Sequence, residues 1–215
     1  MNHRVILVTG ASGDIGKAVV KLLAEDHIVI QHYHQNEPET IKYPFPRLID
    51  IYDSGNIEIE DQYTTTVQAD LRSSEEINHL FKSIIYKYHN ANSKIYTLDA
   101  IINCFRTENE VEVLDAVCHA AIIHGCKFIV NISSRSAEFG RDPLYAAQKA
   151  GVAAYTKALA RIHPNMYINA ISPGMVDSRC NEWKEGKKLS PQYVAEIIHT
   201  LLESKLTGQV LSLEA

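Results

Sequence analysis

Apolar and polar positions follow two alternating rhythms along this chain. Val5-Ile6-Leu7-Val8 is a short apolar run closed by Thr9-Gly10, the pattern of a strand buried on both faces. Ile15, Ala18, Val19, Leu22 and Leu23 then recur at helical spacing and mark one apolar face. Residues 27–33, centred on Ile28 to Ile30, read as a second strand, and the β-branched stretch 64–69 as a third. Ser73-Ser74-Glu75-Glu76 has the serine caps and early acids of a helix start, and Ile77, Leu80, Phe81, Ile84, Ile85 and Tyr88 supply its stripe. The alternation continues with a strand over 100–103, a helix marked by Val111, Leu114, Val117, Cys118 and Ala121, and a strand over 127–133. Asp142-Pro143 reads as N-cap and first residue of a helix running to about Ile162. A strand over 167–172, a helix opened by Ser190-Pro191 and a last strand over 209–213 complete the pattern.

Strands alternating with helices predict an α/β fold with a doubly wound, mostly parallel sheet covered by helices on both faces. Seven strands and about six helices in this order fit one doubly wound domain over 1–215. Residues 36–63 break the rhythm with Pro38, Pro44 and Pro46 and no helical period. Ile49 and Ile51, then Asp53-Ser54-Gly55-Asn56, then Ile57 and Ile59 read as a β-hairpin that replaces most of a crossover helix.

Composition narrows the function classes. With 26 acids against 21 bases the net charge is −5, which argues against nucleic acid as a partner. Hydrophobic residues make up 46%, enough to build a core rather than a disordered chain. No run is long enough to span a bilayer, and the first apolar run is too short for a signal peptide, so no membrane partner and a cytoplasmic location are expected. The cysteines at 104, 118, 126 and 180 follow no framework spacing and read as small hydrophobes in a reducing compartment. Cys118, His119, His124 and Cys126 cluster, but a spacing of 5 between the histidines spoils a one-face ligand pair, and no metal is expected.

Three motifs carry chemistry. Thr9-Gly10-Ala11-Ser12-Gly13-Asp14-Ile15-Gly16 lies between a strand and a helix, where glycines allow a tight turn and the helix N-terminus presents N–H groups to a pyrophosphate. Tyr145 and Lys149 stand at i and i+4 on one helix face, and an ammonium beside a phenol favours the phenolate, readying it to give or take a proton. Ser133-Ser134 closes a strand 11 residues before Tyr145, at the end of a parallel sheet where ligands bind. Each alone has a bland reading: a Gly-rich turn, a chance pair on a helix, serines ending a strand.

Together with Asn103 and Pro173-Gly174, in this order, they resemble the short-chain dehydrogenase/reductase family along nearly the whole chain. Asp99-Ala100-Ile101-Ile102-Asn103, Ile129-Val130-Asn131-Ile132-Ser133-Ser134, the stretch 145–151, Asn169-Ala170-Ile171-Ser172-Pro173-Gly174 and Thr207-Gly208-Gln209 are each similar to family signatures. The resemblance is to a shortened member akin to 3-oxoacyl-acyl-carrier-protein reductases. It implies a single dinucleotide-binding domain of the Rossmann type over 1–215 that reduces a carbonyl, or oxidises the alcohol, with NADP or alternatively NAD, on a small-molecule or carrier-bound substrate. Tyr145 would be the proton donor, Lys149 would ready Tyr145 and bind the nicotinamide ribose, and Ser134 would orient the substrate oxygen. Gly10, Ser12, Gly13, Asp14, Ile15, Gly16 and Asn103 would hold the cofactor. Asp70 and Leu71 would meet the adenine, and Pro173, Gly174, Val176 and Ser178 the nicotinamide end. Relatives often pair through the helices over 108–124 and 143–162, so a homodimer or homotetramer is expected.

The departures are informative. Asp14 replaces the middle loop glycine and is expected to act as an N-cap-like residue. Cys104-Phe105-Arg106 puts bulk where the family keeps small residues; Arg106 could meet cofactor phosphate, an acidic substrate or solvent. Only 30 positions separate Asn103 from Ser133, so the central helix is trimmed, and Asn109 is a doubtful stand-in for the asparagine it normally carries. The segment between Ser178 and Ser190 is also short, leaving an open pocket. Its Trp183-Lys184 and Lys187-Lys188 form a small basic loop, either solvated or a guide for an anionic carrier. Tyr33-His34-Gln35-Asn36 has no acid for an NAD ribose, which favours NADP with His34 and Gln35 as its contacts. Against the reductase stands a second reading, a catalytically impaired dinucleotide-binding sensor or scaffold.

Overall fold

Buried parallel strands need apolar side chains on both faces, and the short runs of this chain supply them. The computed structural model describes residues 4–42, 64–89 (side chains to 84) and 98–214. The strands are β1 (Val5–Thr9), β2 (Ile28–Tyr33), β3 (Thr65–Gln68), β4 (Ala100–Asn103), β5 (Phe128–Ile132), β6 (Tyr167–Pro173) and β7 (Val210–Leu213). The helices are α1 (Asp14–Leu23), α2 (Ser74–His89), α3 (Glu110–Ile123), α4 (Ser136–Phe139), α5 (Pro143–Ile162) and α6 (Pro191–Glu203). All seven strands are parallel in one sheet of order β3-β2-β1-β4-β5-β6-β7. The winding reverses between β1 and β4, where Thr9 stands opposite Asn103, and a crevice opens beyond their carboxyl ends.

The core lies in two layers. Val5 and Leu7 of β1 face α2, α3 and α5 through Leu80, Leu114 and Val152, while Ile6 and Val8 face α1 and α6 through Val19, Val194 and Ile198. Each such side chain, fully buried, contributes about 1.5–3 kcal/mol. Helix starts follow the expected chemistry. Ser73 accepts from the Glu76 N–H, Asp142 from those of Leu144 and Tyr145, and Ser190 from that of Tyr193. Helix α4 was not visible as a period because it is a single turn, closed by the Ser136 N–H donating to Ser134 Oγ. Residues 34–42 carry no helix, and the expected hairpin at 49–59 lies outside the described residues.

Two buried histidines couple this fold to pH. His32 Nδ1 accepts from the Gly10 N–H at 3.3 Å while Nε2 donates to the Ala69 carbonyl at 2.9 Å, which one neutral tautomer does at once. Burial lowers the pKa of His32, and burial followed by the Arg4 charge lowers that of His27. Their folded values therefore lie below the ordinary 6.5. The unfolded chain takes up protons that the fold refuses, so stability is complete above about pH 6.5 and declines as pH falls through and below it. Urea unfolding is expected to show a lower stability at pH 5 than at pH 7. His27→Gln flattens that slope; an unchanged slope in the variant contradicts the assignment.

Candidate active site

The glycine turn after β1 is dictated by crowding. Gly10 has φ 63°, and a Cβ there would come within 2.8 Å of the Phe105 backbone. A Cβ on Gly16 would overlap the Gly10 carbonyl oxygen. Gly13, not Asp14, is the N-cap of α1. Asp14 instead occupies the first turn and reaches across the cleft to Arg179, accepting from its N–H at 3.0 Å and its Nε at 3.2 Å. The reason is electrostatic: a carboxylate beside free helix N–H groups gains more from a guanidinium, which also donates to the Ser12 carbonyl.

Opposite this turn, β5 delivers Ser133 and Ser134, and Asp142 caps the first turn of α5, which holds Tyr145. Ser133 Oγ donates to the Lys149 carbonyl at 2.7 Å. Ser134 is nine-tenths buried and accepts from the Ser136 N–H at 3.1 Å. Lys149 is buried, and its ammonium donates to Glu110 Oε1 at 2.5 Å and to the Ile132 carbonyl at 2.9 Å. Its Nζ lies 5.8 Å from the Tyr145 ring centre, whereas the Arg106 guanidinium carbon lies 4.8 Å away. Glu110 is equally buried, and its Oε2 has no hydrogen-bond partner.

An open cleft of about 1430 Å³ unites most of the expected residues. Gly13, Asp14, Ile15, Gly16, Ser134, Tyr145, Lys149, Pro173, Gly174, Val176 and Ser178 all line it. Gly10, Ser12, His34, Gln35, Asp70, Leu71 and Asn103 are not on its lining. Asn103 is spent elsewhere: it accepts from Thr9 Oγ at 3.1 Å and donates to Asn131 Oδ1 at 2.9 Å, all buried. Leu71 packs into the core, as an apolar side chain should. His34 and Asp70 stand together at the sheet edge, 3.6 Å apart.

Three polar residues were missed by sequence reasoning. Arg72 binds Asp70 through Nε at 2.9 Å and NH2 at 2.6 Å, and holds the Asp70 carboxyl well below the usual carboxylate range. Its signal was its place just past a strand end. Arg179 follows Ser178 directly but had no motif of its own. Glu110 went unremarked, because spacing does not reveal depth. Cys104 lines the cleft, yet burial pushes its thiol up to about 12, so it is no thiolate nucleophile at neutral pH.

The cysteine–histidine cluster disperses: His119 pairs with Asp115, His124 stacks on Phe81, and Cys126 donates to backbone carbonyls. A separate group, His27, His199 and Glu203, has ligand atoms within 4.8 Å of one another, but Arg4 holds Glu203 Oε1 at 2.5 Å.

The donor set fits a dinucleotide. The first-turn N–H groups of α1 have no intrahelical acceptor, and the residues that carry them line the cleft. The model of the NAD dependent epimerase/dehydratase family matches residues 6–161. The chain belongs to that family, and with it to the short-chain dehydrogenases/reductases. A nicotinamide-dinucleotide-binding oxidoreductase of the short-chain type is the coarse class that follows. The chain is 28% identical over 245 residues to a 3-oxoacyl-[acyl-carrier-protein] reductase FabG of Chlamydia muridarum, covering 99% of this chain and 96% of that protein. It is 24% identical over 221 residues to an uncharacterized oxidoreductase of Staphylococcus saprophyticus, covering 91% and 89%. A short-chain dehydrogenase/reductase from Serratia marcescens shares the fold, with TM-score 0.74, 20% identity and coverage of 98% and 96%. So does a blue fluorescent protein from a metagenomic library in complex with NADPH, with TM-score 0.74, 19% identity and coverage of 99% and 97%. No helix among the described residues is long and apolar enough to cross a membrane.

Arg179 neutralises Asp14 beside the turn, so Arg179→Ala exposes a bare carboxylate there. Dinucleotide affinity, read by fluorescence titration, is expected to fall about tenfold, and Arg179→Ala/Asp14→Asn to recover most of it. Equal affinity in the single variant contradicts this role.

Proposed function

We propose that this protein reduces a carbonyl, or oxidises the matching alcohol, with NADPH as the preferred reductant. The observation that carries the reading is the convergence of Ser134, Tyr145 and Lys149 on one open cleft that a glycine turn at a helix N-terminus also lines. The Gly13–Gly16 backbone would hold the diphosphate, with Arg179 cancelling the Asp14 charge beside it. Pro173, Gly174, Val176 and Ser178 would flank the nicotinamide. When bound, a reduced nicotinamide supplies a hydride to the carbonyl carbon. The chain's own residues do the rest. Ser134 Oγ, buried and fixed by the Ser136 N–H, donates to the substrate oxygen and sets its orientation. Tyr145 gives its hydroxyl proton to that oxygen as negative charge develops on it. Lys149 retains one N–H beyond its two protein acceptors for a ribose hydroxyl.

NADP over NAD is supported by the sheet edge after β2, where no acid replaces His34 or Gln35 and Arg72 stands beside Asp70. A 3-oxoacyl thioester is the favoured substrate, by analogy with the named FabG relatives. The short loop with exposed Trp183 leaves room for a carrier-bound chain. Ile123 and Ile162, exposed at the ends of α3 and α5, support pairing of two or four copies through those helices.

NADPH oxidation with a panel of ketones and 3-oxoacyl thioesters tests the reading. Wild type is expected to turn over at least one, and Tyr145→Phe to lose at least about a hundredfold in kcat. Turnover that survives this change removes the mechanism. Protein fluorescence titration is expected to show NADPH binding more tightly than NADH, by about tenfold; the opposite order removes the cofactor assignment.

A further inference from the structure

At the end of the sheet remote from the cleft, where the strands begin, three metal-ligating side chains meet. His27 stands just before β2, and His199 and Glu203 are i and i+4 in the last turn of α6, on one helix face. One ligand atom from each of the three lies within 4.8 Å of the other two. The imidazoles of His27 and His199 are stacked with centres 6.2 Å apart. His27 is more than nine-tenths buried, and among the described residues neither of its ring nitrogens has a hydrogen-bond partner. Buried imidazoles ordinarily keep such partners, because the lone pair and the N–H have both given up water. Here the groups nearest that unfilled lone pair are themselves metal ligands.

We propose that His27, His199 and Glu203 bind a zinc-type divalent ion, with water in the fourth position. The site is independent of the reductase reading: it lies at the amino ends of the strands, and none of its residues lines the cleft. Two imidazoles and a carboxylate suit Zn2+, which takes nitrogen and oxygen ligands at about 2.0–2.2 Å in a tetrahedron. Mg2+ and Ca2+ are hard cations that require more oxygen. Ligands of such a tetrahedron stand about 3.4 Å apart, so these three must draw in by no more than about 1.5 Å. His199 is half-buried and Glu203 exposed, so both side chains have room to turn. Arg4 donates to Glu203 Oε1 at 2.5 Å and leaves Oε2 for the metal, and a ligating carboxylate braced from behind is fixed in orientation. The charged groups around His27 are Arg4, Glu203 and Asp26, two carboxylates against one guanidinium, a balance that favours a cation. A bound ion would fill the His27 lone pair and clip the turn after α1 to the end of α6.

The test takes the full chain, stripped of metal with a chelator and dialysed, and titrates it with zinc chloride in a calorimeter. Wild type is expected to bind one Zn2+ per chain with a Kd on the order of 1 μM. Zinc at about a hundredfold excess over that Kd should raise Tm by roughly 5 °C. Cobalt(II) in its place should show the visible absorption of a four-coordinate nitrogen–oxygen site. His199→Gln and Glu203→Gln change accessible positions and are expected to fold. Each should weaken zinc binding by at least about tenfold, and His199→Gln should abolish the cobalt band. His119→Gln breaks the exposed Asp115–His119 pair on α3, and Cys180→Ser removes an exposed thiol. Both should leave the Kd within about twofold, since they lie apart from the site. Zinc binding that does not saturate by about 100 μM overturns the proposal. So does undiminished binding in His199→Gln, or its loss in His119→Gln. None of these readouts uses a nucleotide or a ketone, so the reductase reading and the metal site stand or fall separately.

Discussion

A chain of buried polar side chains runs across the carboxyl edge of the sheet, and the cleft above depends on it. Thr9 donates to Asn103, Asn103 to Asn131, Asn131 to Thr156 and Thr156 to the Val152 carbonyl. It ties β1, β4, β5 and α5 together at the place where the winding reverses. Breaking one link would leave a buried amide unpaired, at about 1–3 kcal/mol, so the strands' relative heights are strongly held. This is why Ser134 and α5 sit where they do: Ser133 and Lys149 are joined at the same level by a hydroxyl–carbonyl bond.

On that platform rests a second layer of charge. A wholly buried ammonium is tolerated only with a counter-charge and hydrogen bonds, and Glu110 with the Ile132 carbonyl supplies them. The trimmed connection from β4 to α3 brings Glu110 into place, since the helix begins almost at once after Cys104-Phe105-Arg106. One short connection thus carries both the acid behind the lysine and the guanidinium over the tyrosine ring.

The fold was almost wholly legible, because its signals are local. Apolar runs, helical stripes and the caps at Ser73, Asp142 and Ser190 lie within a few residues of the elements they define. The site was legible where backbone order sets it: the glycine turn, Ser134, Tyr145 and Pro173-Gly174 all fall at strand or helix ends. It was not legible where partners lie far apart in the chain. Asp14 read as a cap because nothing local announces Arg179, 165 positions away. Asn103 read as a cofactor contact because burial beneath the cleft has no signature in spacing. Glu110 was not singled out, because its lysine partner lies 39 positions away.

The pairing of Glu110 with Lys149 joins residues 39 apart on two helices, and neither charge is comfortable in an apolar interior without the other. A half-collapsed chain that docked α5 against the sheet before α3 would bury an ammonium alone. Such intermediates are penalised, so the two helices should close on the sheet together. Assembly of the candidate cleft would in this way be part of the folding transition itself, rather than a later adjustment of a finished scaffold.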